Sequence, residues 1–417
     1  MESDGVSSTE SSEESFTDPE HNEELGADTF DSDDSSFESY GIDYLQRYFP
    51  NEEDRRFHRA VDESNPAKTG NLYRELMHRE HNIINRIGWR GGGSFGQGFY
   101  RHVVEHMTLS NILKCKEATN VNFNHDGELL CYTDSYIISA WDWRKSQELL
   151  RFYPCKELDP VMQQKFIDSR GGLDIVSGCG DGHVVRTVVS PSGSQIKVSL
   201  YDHPGGIQDL TSVPNSDHEI ISTGEGTVYQ FDLRTREGKV NCVDQNEQKV
   251  WLDTIDHHPC LPEFCIGGRN STLLVYDKRN LSEPAHKMTP KKLSSSPDVS
   301  RVVYNHSGSE ILACFYTMGM FLFDTRNFTD GEYLHFFESN SPKISANFFG
   351  PRSEYIMSGD KDGYCFRDRI TKEIISVSRI HCKAVESLEP HPWKPVIASS
   401  LFDRPGILIW TPNGLDF

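Results

Sequence analysis

A repeat period constrains this chain more than any other feature. From about Phe99, short β-rich runs alternate with turn signals, and the most apolar run of each unit ends in step with the next. Those ends are Trp141-Asp142, Thr187, Phe231-Asp232, Tyr276-Asp277, Phe323-Asp324, Arg367-Asp368 and Trp410, at intervals of 46, 44, 45, 47, 44 and 43 residues. A unit this short cannot bury both faces of its own sheet, so seven at one period must stack to cover one another. The length prior that would divide 417 residues into two or three domains therefore does not apply.

The interior of each unit supports the same reading. The first has Ala118–Phe123, a turn at Asn124-His125-Asp126-Gly127, then Glu128–Thr133 and Tyr136–Asp142. The fifth has Val299–Asn305, His306-Ser307-Gly308-Ser309, Glu310–Tyr316 and Met320–Asp324, and the seventh has Ala384–Pro390, His391-Pro392-Trp393-Lys394, Pro395–Ser400 and Ile407–Trp410. Each supplies three strands, and a fourth comes from the segment leading into the next unit, such as Tyr333–Glu338. Four short strands per roughly 40–45 residues is the WD40 blade. The expected fold is all-β: a seven-bladed WD40 β-propeller over residues 99–417. A strand at Phe99–Met107 is placed to complete the last blade and lock the ring.

Ahead of the ring the composition differs. Residues 1–40 hold fourteen Asp or Glu and no Lys or Arg, so two thirds of the net charge of −21 sits in one tenth of the chain. Such a segment buries too little apolar surface to offset its ordering entropy, which predicts a disordered acidic Ser-rich tail. Ser7, Ser11, Thr17 and Ser35 each have an acidic residue three positions on, a pattern that suits acid-directed kinases; a plain solubilising tail is the other reading. Residues 41–98 read as a partly ordered linker with one short amphipathic helix, Asn71–Glu80, carrying Leu72, Leu76 and Met77 on one face. It packs on the ring or docks a partner groove.

No positive footprint for nucleic acid is visible, and no run approaches the roughly 20 apolar residues of a membrane span. With no secretory signal, the ten cysteines are expected as reduced thiols, and the chain in the nucleus and cytoplasm.

Two groups of residues carry a family resemblance. His381, Ser399, Asp403 and Trp410 fit the structural tetrad of WD40 blades, a buried hydrogen-bond chain, so Ser–His–Asp here is not a hydrolase triad. Four units end in aromatic-Asp-x-Arg: Asp142 with Arg144, Asp232 with Arg234, Asp277 with Arg279, and Asp324 with Arg326. On a strand, residues two apart point to the same side, so each carboxylate can hold its guanidinium while the Arg projects from the ring's narrow face. The sixth unit, Arg367-Asp368-Arg369-Ile370, and the second, around Thr187, depart from this motif.

The motif resembles that of WD40 proteins that dock on the cullin-4 ubiquitin ligase. The wording at Val121–Gly127, Gly267-Gly268-Arg269, Phe348–Tyr355 and Leu388–Pro392 is similar to cullin-4-associated factor eight and its WD-repeat relatives. The resemblance implies a non-catalytic substrate receptor. Its partners would be the ligase's large propeller adaptor, held through the eight Asp and Arg residues, and a target protein. A WD40 scaffold in another nuclear or cytoplasmic assembly is the alternative.

Three further patterns carry no assignment. Gly91–Gly96 matches a kinase glycine loop, but the chain has neither His-Arg-Asp nor Asp-Phe-Gly, so a flexible connector is expected. His257, His258 and Cys260 with Cys265 straddle a hairpin rather than converge as metal ligands should. Ser282–Ser300, with Lys287, Lys291 and Lys292, reads as a solvated inserted loop. No cofactor, metal or catalytic residue is expected.

Overall fold

The computed structural model describes residues 96–413 apart from 156–158, 168–172, 190–193, 215, 217, 243, 246–247, 294–295, 340–344, 361–362, 380–383 and 403. The acidic tail, the linker, Asn71–Glu80, His381 and Asp403 lie outside the described residues.

Among the described residues there are seven four-stranded antiparallel sheets and one two-stranded ribbon. In blade 1 the strands are Asn120–Phe123, Leu129–Asp134, Ile137–Asp142 and Gln147–Phe152. Blades 2 to 6 repeat this order, with first strands at Val161–Phe166, Ile207–Ser212, Leu252–His257, Val299–Tyr304 and Ser345–Phe349. The first strands of successive blades touch one another all the way round, blade 7 returning to blade 1, so they line the centre of a closed propeller. Closure leaves each sheet only short outer edges.

The second and third strands carry the core. Glu310–Phe315 and Gly319–Asp324 are buried along almost their whole length, because in a stacked blade both faces of a strand meet a neighbour. Phe315, Phe321 and Phe323 fill the gap between blades 4 and 5 with Cys265, Val275 and Val302. In five blades the register slips after the first residue of the inner strand, as between Ile207 and Asp209. This recurrent bulge re-aims the residues that follow it at the channel.

Blade 7 is completed from the other end of the chain. Val385–Pro390, Ile397–Leu401 and Arg404–Pro412 are joined by Met107–Leu113, which runs antiparallel with Met107 opposite Pro412 and Leu113 opposite Ile407. The lock is where the sequence puts it, but its residues are not Phe99–Met107. Gly96–Glu105 is instead a helix, α1. The aromatic and valine-rich text favours a strand locally, yet Val103 and Val104 are buried side by side and Arg101 reaches Glu105 one turn away at 2.9 Å. Gly96 opens that helix rather than ending a connector. No helix among the described residues is long and apolar enough to cross a membrane.

Two smaller expectations are also corrected. Cys155 and Cys179 form a disulfide, joining the end of blade 1 to the second strand of blade 2. Their separation of 24 residues along the chain concealed this proximity. Within Ser282–Ser300, His286–Met288 is the fourth strand of blade 4, and Lys292 lies 3.5 Å from the centre of the Phe336 ring.

Candidate functional site: arginine forks on one face of the ring

Asp232, Asp277 and Asp324 are each the last residue of a third strand. Third strands all run the same way through the ring, so these ends share one face. The chain turns there, and each Asp Oδ1 accepts the backbone N–H of the residue two on: Arg234 at 2.8 Å, Arg279 at 2.9 Å and Arg326 at 2.9 Å. This is an Asx turn. It corrects the expectation that Asp and Arg meet as same-side neighbours along a strand, since the Arg already belongs to the turn.

The guanidinium then folds back on the same carboxylate. Nη2 donates to Oδ2 at 2.9 Å in Arg234, 2.6 Å in Arg279 and 3.2 Å in Arg326. Nε reaches Oδ1 at 3.3, 2.9 and 3.0 Å respectively. The side-chain and backbone hydrogen bonds from Arg234 hold the Asp232 carboxyl down at about 2, and the equivalent bonds lower Asp277 and Asp324. The three pairs therefore stay ionised through the physiological range. The arginine side chains are 61%, 73% and 75% exposed, which presents three rigidly aimed guanidinium planes to solvent.

The fourth pair differs. Burial pushes the Asp142 carboxyl up, but bonds from Lys145 outweigh it, with Nζ 2.9 Å from Oδ2. Arg144 stands 4.0 Å from Asp142 and 3.4 Å from Glu128, so it is shared between two carboxylates. Blades 2 and 6 offer no fork. Thr187 is fully buried, and Arg369 turns inward to Glu310 of blade 5. In blade 4 the residue between Asp and Arg ties neighbouring blades together. Lys278 of blade 4 binds Glu219 of blade 3 at 2.7 Å, the same cross-blade contact that Arg369 makes.

Of the expected tetrad, Ser399 and Trp410 are described. Trp410 Nε1 donates to Ser399 Oγ at 3.0 Å, and Tyr364 of blade 6 donates to the same oxygen at 2.6 Å. Both contacts are buried and structural.

The turns between first and second strands lie on the fork face too. They rim a funnel of about 530 Å³ that includes Asn124, His125, Pro259 and Trp393. Deeper, burial raises Asp256 to about 6 and lifts Glu389, against Lys165 and Arg301 across the channel.

The sequence reading missed one device in these turns. His391 Nδ1 accepts the backbone N–H groups of Trp393 and Lys394, both at 3.0 Å, and its ring lies against Gly127 of blade 1. His258 does the same with Cys260 and Leu261, its ring against Gly308 of blade 5. Gly127 and Gly308 have φ of +73° and +74°, and a Cβ on either would fall 2.1 or 2.0 Å from the imidazole. The available signal was the pairing of a turn histidine with a turn glycine one unit further on. His258 is thus occupied as a turn acceptor, which accounts for part of the His257-His258-Pro259-Cys260 pattern.

A closed seven-bladed ring displaying repeated Asp–Arg forks on one face defines a β-propeller. Over 252 residues the chain is 26% identical to DDB1- and CUL4-associated factor 6 of Mus musculus and, to the same extent, of Homo sapiens. The match covers 53% of this chain but only 28% and 29% of those proteins, so the chain spans less than a third of their length. No protein-family model matches it. The seven-bladed ring and this similarity agree with the resemblance to WD40 cullin-4-associated factors and do not single out factor eight among them.

Proposed function

We propose that this chain is a non-catalytic substrate receptor of a cullin-4 ubiquitin ligase, docking the ligase adaptor through its fork face and recruiting a target protein with another surface. The carrying observation is the recurrence of the same Asp–Arg geometry at Asp232–Arg234, Asp277–Arg279 and Asp324–Arg326 on one face. Ion pairs 61–75% exposed on the arginine side add little to stability, so their repetition at three consecutive blades fits a surface that meets a partner. Planar, weakly hydrated guanidinium groups whose orientation is already fixed bind partner carboxylates and carbonyls with little further ordering cost. The names of the similar proteins indicate the kind of assembly. Arg144 belongs to the same face and contributes less, because it is shared with Glu128.

The test is affinity purification of the full chain from cells, followed by mass spectrometry, beside a variant with Arg144, Arg234, Arg279 and Arg326 changed to Ala. Recovery of the cullin-4 adaptor with the unaltered chain and its loss with the folded variant is the expected result. Absence of cullin-4 components from both, with another complex recovered in near-equal amount, would replace this reading with a scaffold in that complex.

A further inference from the structure

Helix α1 carries a second site. Its last turn and the residue after it read His102-Val103-Val104-Glu105-His106, with the His106 N–H still bonded to the His102 carbonyl at 3.1 Å. Read as a strand, this text scatters its polar groups over two faces; as a helix, positions i, i+3 and i+4 share one face, opposite Val103 and Val104, which are buried. We propose that His102, Glu105 and His106 bind a divalent cation of the zinc class through two imidazole nitrogens and one carboxylate oxygen.

The donor atoms of the three side chains lie within 4.8 Å of one another. A tetrahedral zinc ion with bonds of about 2.0–2.1 Å needs its ligands about 3.3 Å apart, so the groups must close by at most about 1.5 Å through side-chain rotation. The imidazole centres already stand 4.0 Å apart, the rings tilted by 37°. His106 Nδ1 donates to the His102 carbonyl at 2.8 Å, which puts the lone pair of the neutral ring on Nε2. A ligating histidine is commonly backed by such a carbonyl, which fixes tautomer and ring angle. The site also lies at the carboxyl end of α1, where the helix dipole favours a cation.

Arg101 is a competing positive charge beside the site. It takes Oε1 of Glu105 at 2.9 Å, and Glu373 of blade 6 grips it with two bonds of 3.2 and 3.0 Å. The second oxygen of Glu105 is not part of that pair. The frame is rigid on both sides, since Asn413 donates its backbone N–H to the His106 carbonyl at 2.8 Å and Met107 begins the strand that closes the ring. Three protein ligands on one helix face leave a fourth position open for water or for a carboxylate of a docked protein. This inference does not depend on the receptor reading.

Calorimetric titration of the full metal-stripped chain with Zn²⁺ tests it. The acidic tail and the other histidines supply background, so the decisive quantity is the difference from the His102→Ala/His106→Ala variant. That variant should lose one site per chain and weaken the tightest binding at least about tenfold, with Glu105→Gln falling between the two. Identical stoichiometry and affinity in variant and parent would overturn the proposal. In the unaltered chain, Zn²⁺ should protect both His102 and His106 from diethyl pyrocarbonate, read by peptide mass spectrometry. Equal modification with and without Zn²⁺ would overturn it independently of any variant's folding.

Discussion

Changing Gly127 to Ala tests how the ring closes. Gly127 ends the first turn of blade 1 with φ of +73°, and the His391 ring of blade 7 occupies the space a side chain would need, Cε1 falling 2.1 Å from an ideal Cβ. A left-handed conformation costs an alanine about 1–2 kcal/mol. The clash adds an overpacking cost of about 1–3 kcal/mol, because the imidazole cannot swing aside without giving up the two backbone N–H groups it accepts. The expected loss is about 2–5 kcal/mol, large beside the 5–15 kcal/mol of a typical domain. Urea denaturation of Gly127→Ala, His391→Ala and the double variant forms a cycle that separates the two costs. With the ring removed, Gly127→Ala should lose the overpacking share and keep only the backbone strain, a coupling of about 1–3 kcal/mol. Strict additivity, or a Gly127→Ala midpoint equal to the parent's, would refute the reasoning.

Burial holds the His257 and His391 imidazoles down at about 4. The unfolded chain therefore binds protons near pH 6.5 that the folded ring refuses, and stability is lost as pH falls from 6.5 towards 4, about 3 kcal/mol for each group. Asp256, raised to about 6 by burial, opposes this with a gain of similar size below pH 6, so the two histidines outweigh it. His391→Asn should lose about 2 kcal/mol less than the parent between pH 7 and 4.5 in urea titrations, and equal losses would count against the assignment. Ser399→Ala strips one buried oxygen from both Trp410 and Tyr364 and should cost about 1–3 kcal/mol in the same assay. In the double variant His102→Ala/His106→Ala, zinc should no longer raise the unfolding midpoint, whereas it should in the parent.

The ring was legible because its signal is collective. Each blade repeats one pattern, and the seven ends from Trp141 to Trp410 agree on a period that no single strand reveals. The outer strand of blade 7 was legible as a need rather than as residues. Closure demands a strand from the other end of the chain, but local propensity at Phe99–Met107 favours β while the i, i+4 contacts of Arg101 and Glu105 favour a helix. The Asp–Arg pairs and their projection from the ring were legible as sequence, and the difference among the four was not. Four similar motifs became three open forks and one shared arginine because Lys145 and Glu128 compete at Asp142 and Arg144, a difference that lies outside the motif itself. The His391–Gly127 lock joins residues at opposite ends of the repeat array, which only the closed ring brings together.

If the exposed forks dock the adaptor, removing their arginines must weaken that complex. Titrating the purified cullin-4 adaptor with the full chain, and with the Arg234→Ala/Arg279→Ala variant, tests this most directly. Both arginines are exposed, and their aspartates keep the backbone N–H bonds that shape the turn, so the variant should remain folded by circular dichroism and unfold at the same urea midpoint. The parent chain should bind the adaptor, and the variant should lose affinity by at least about tenfold. Equal affinity of the folded variant and its parent would contradict it.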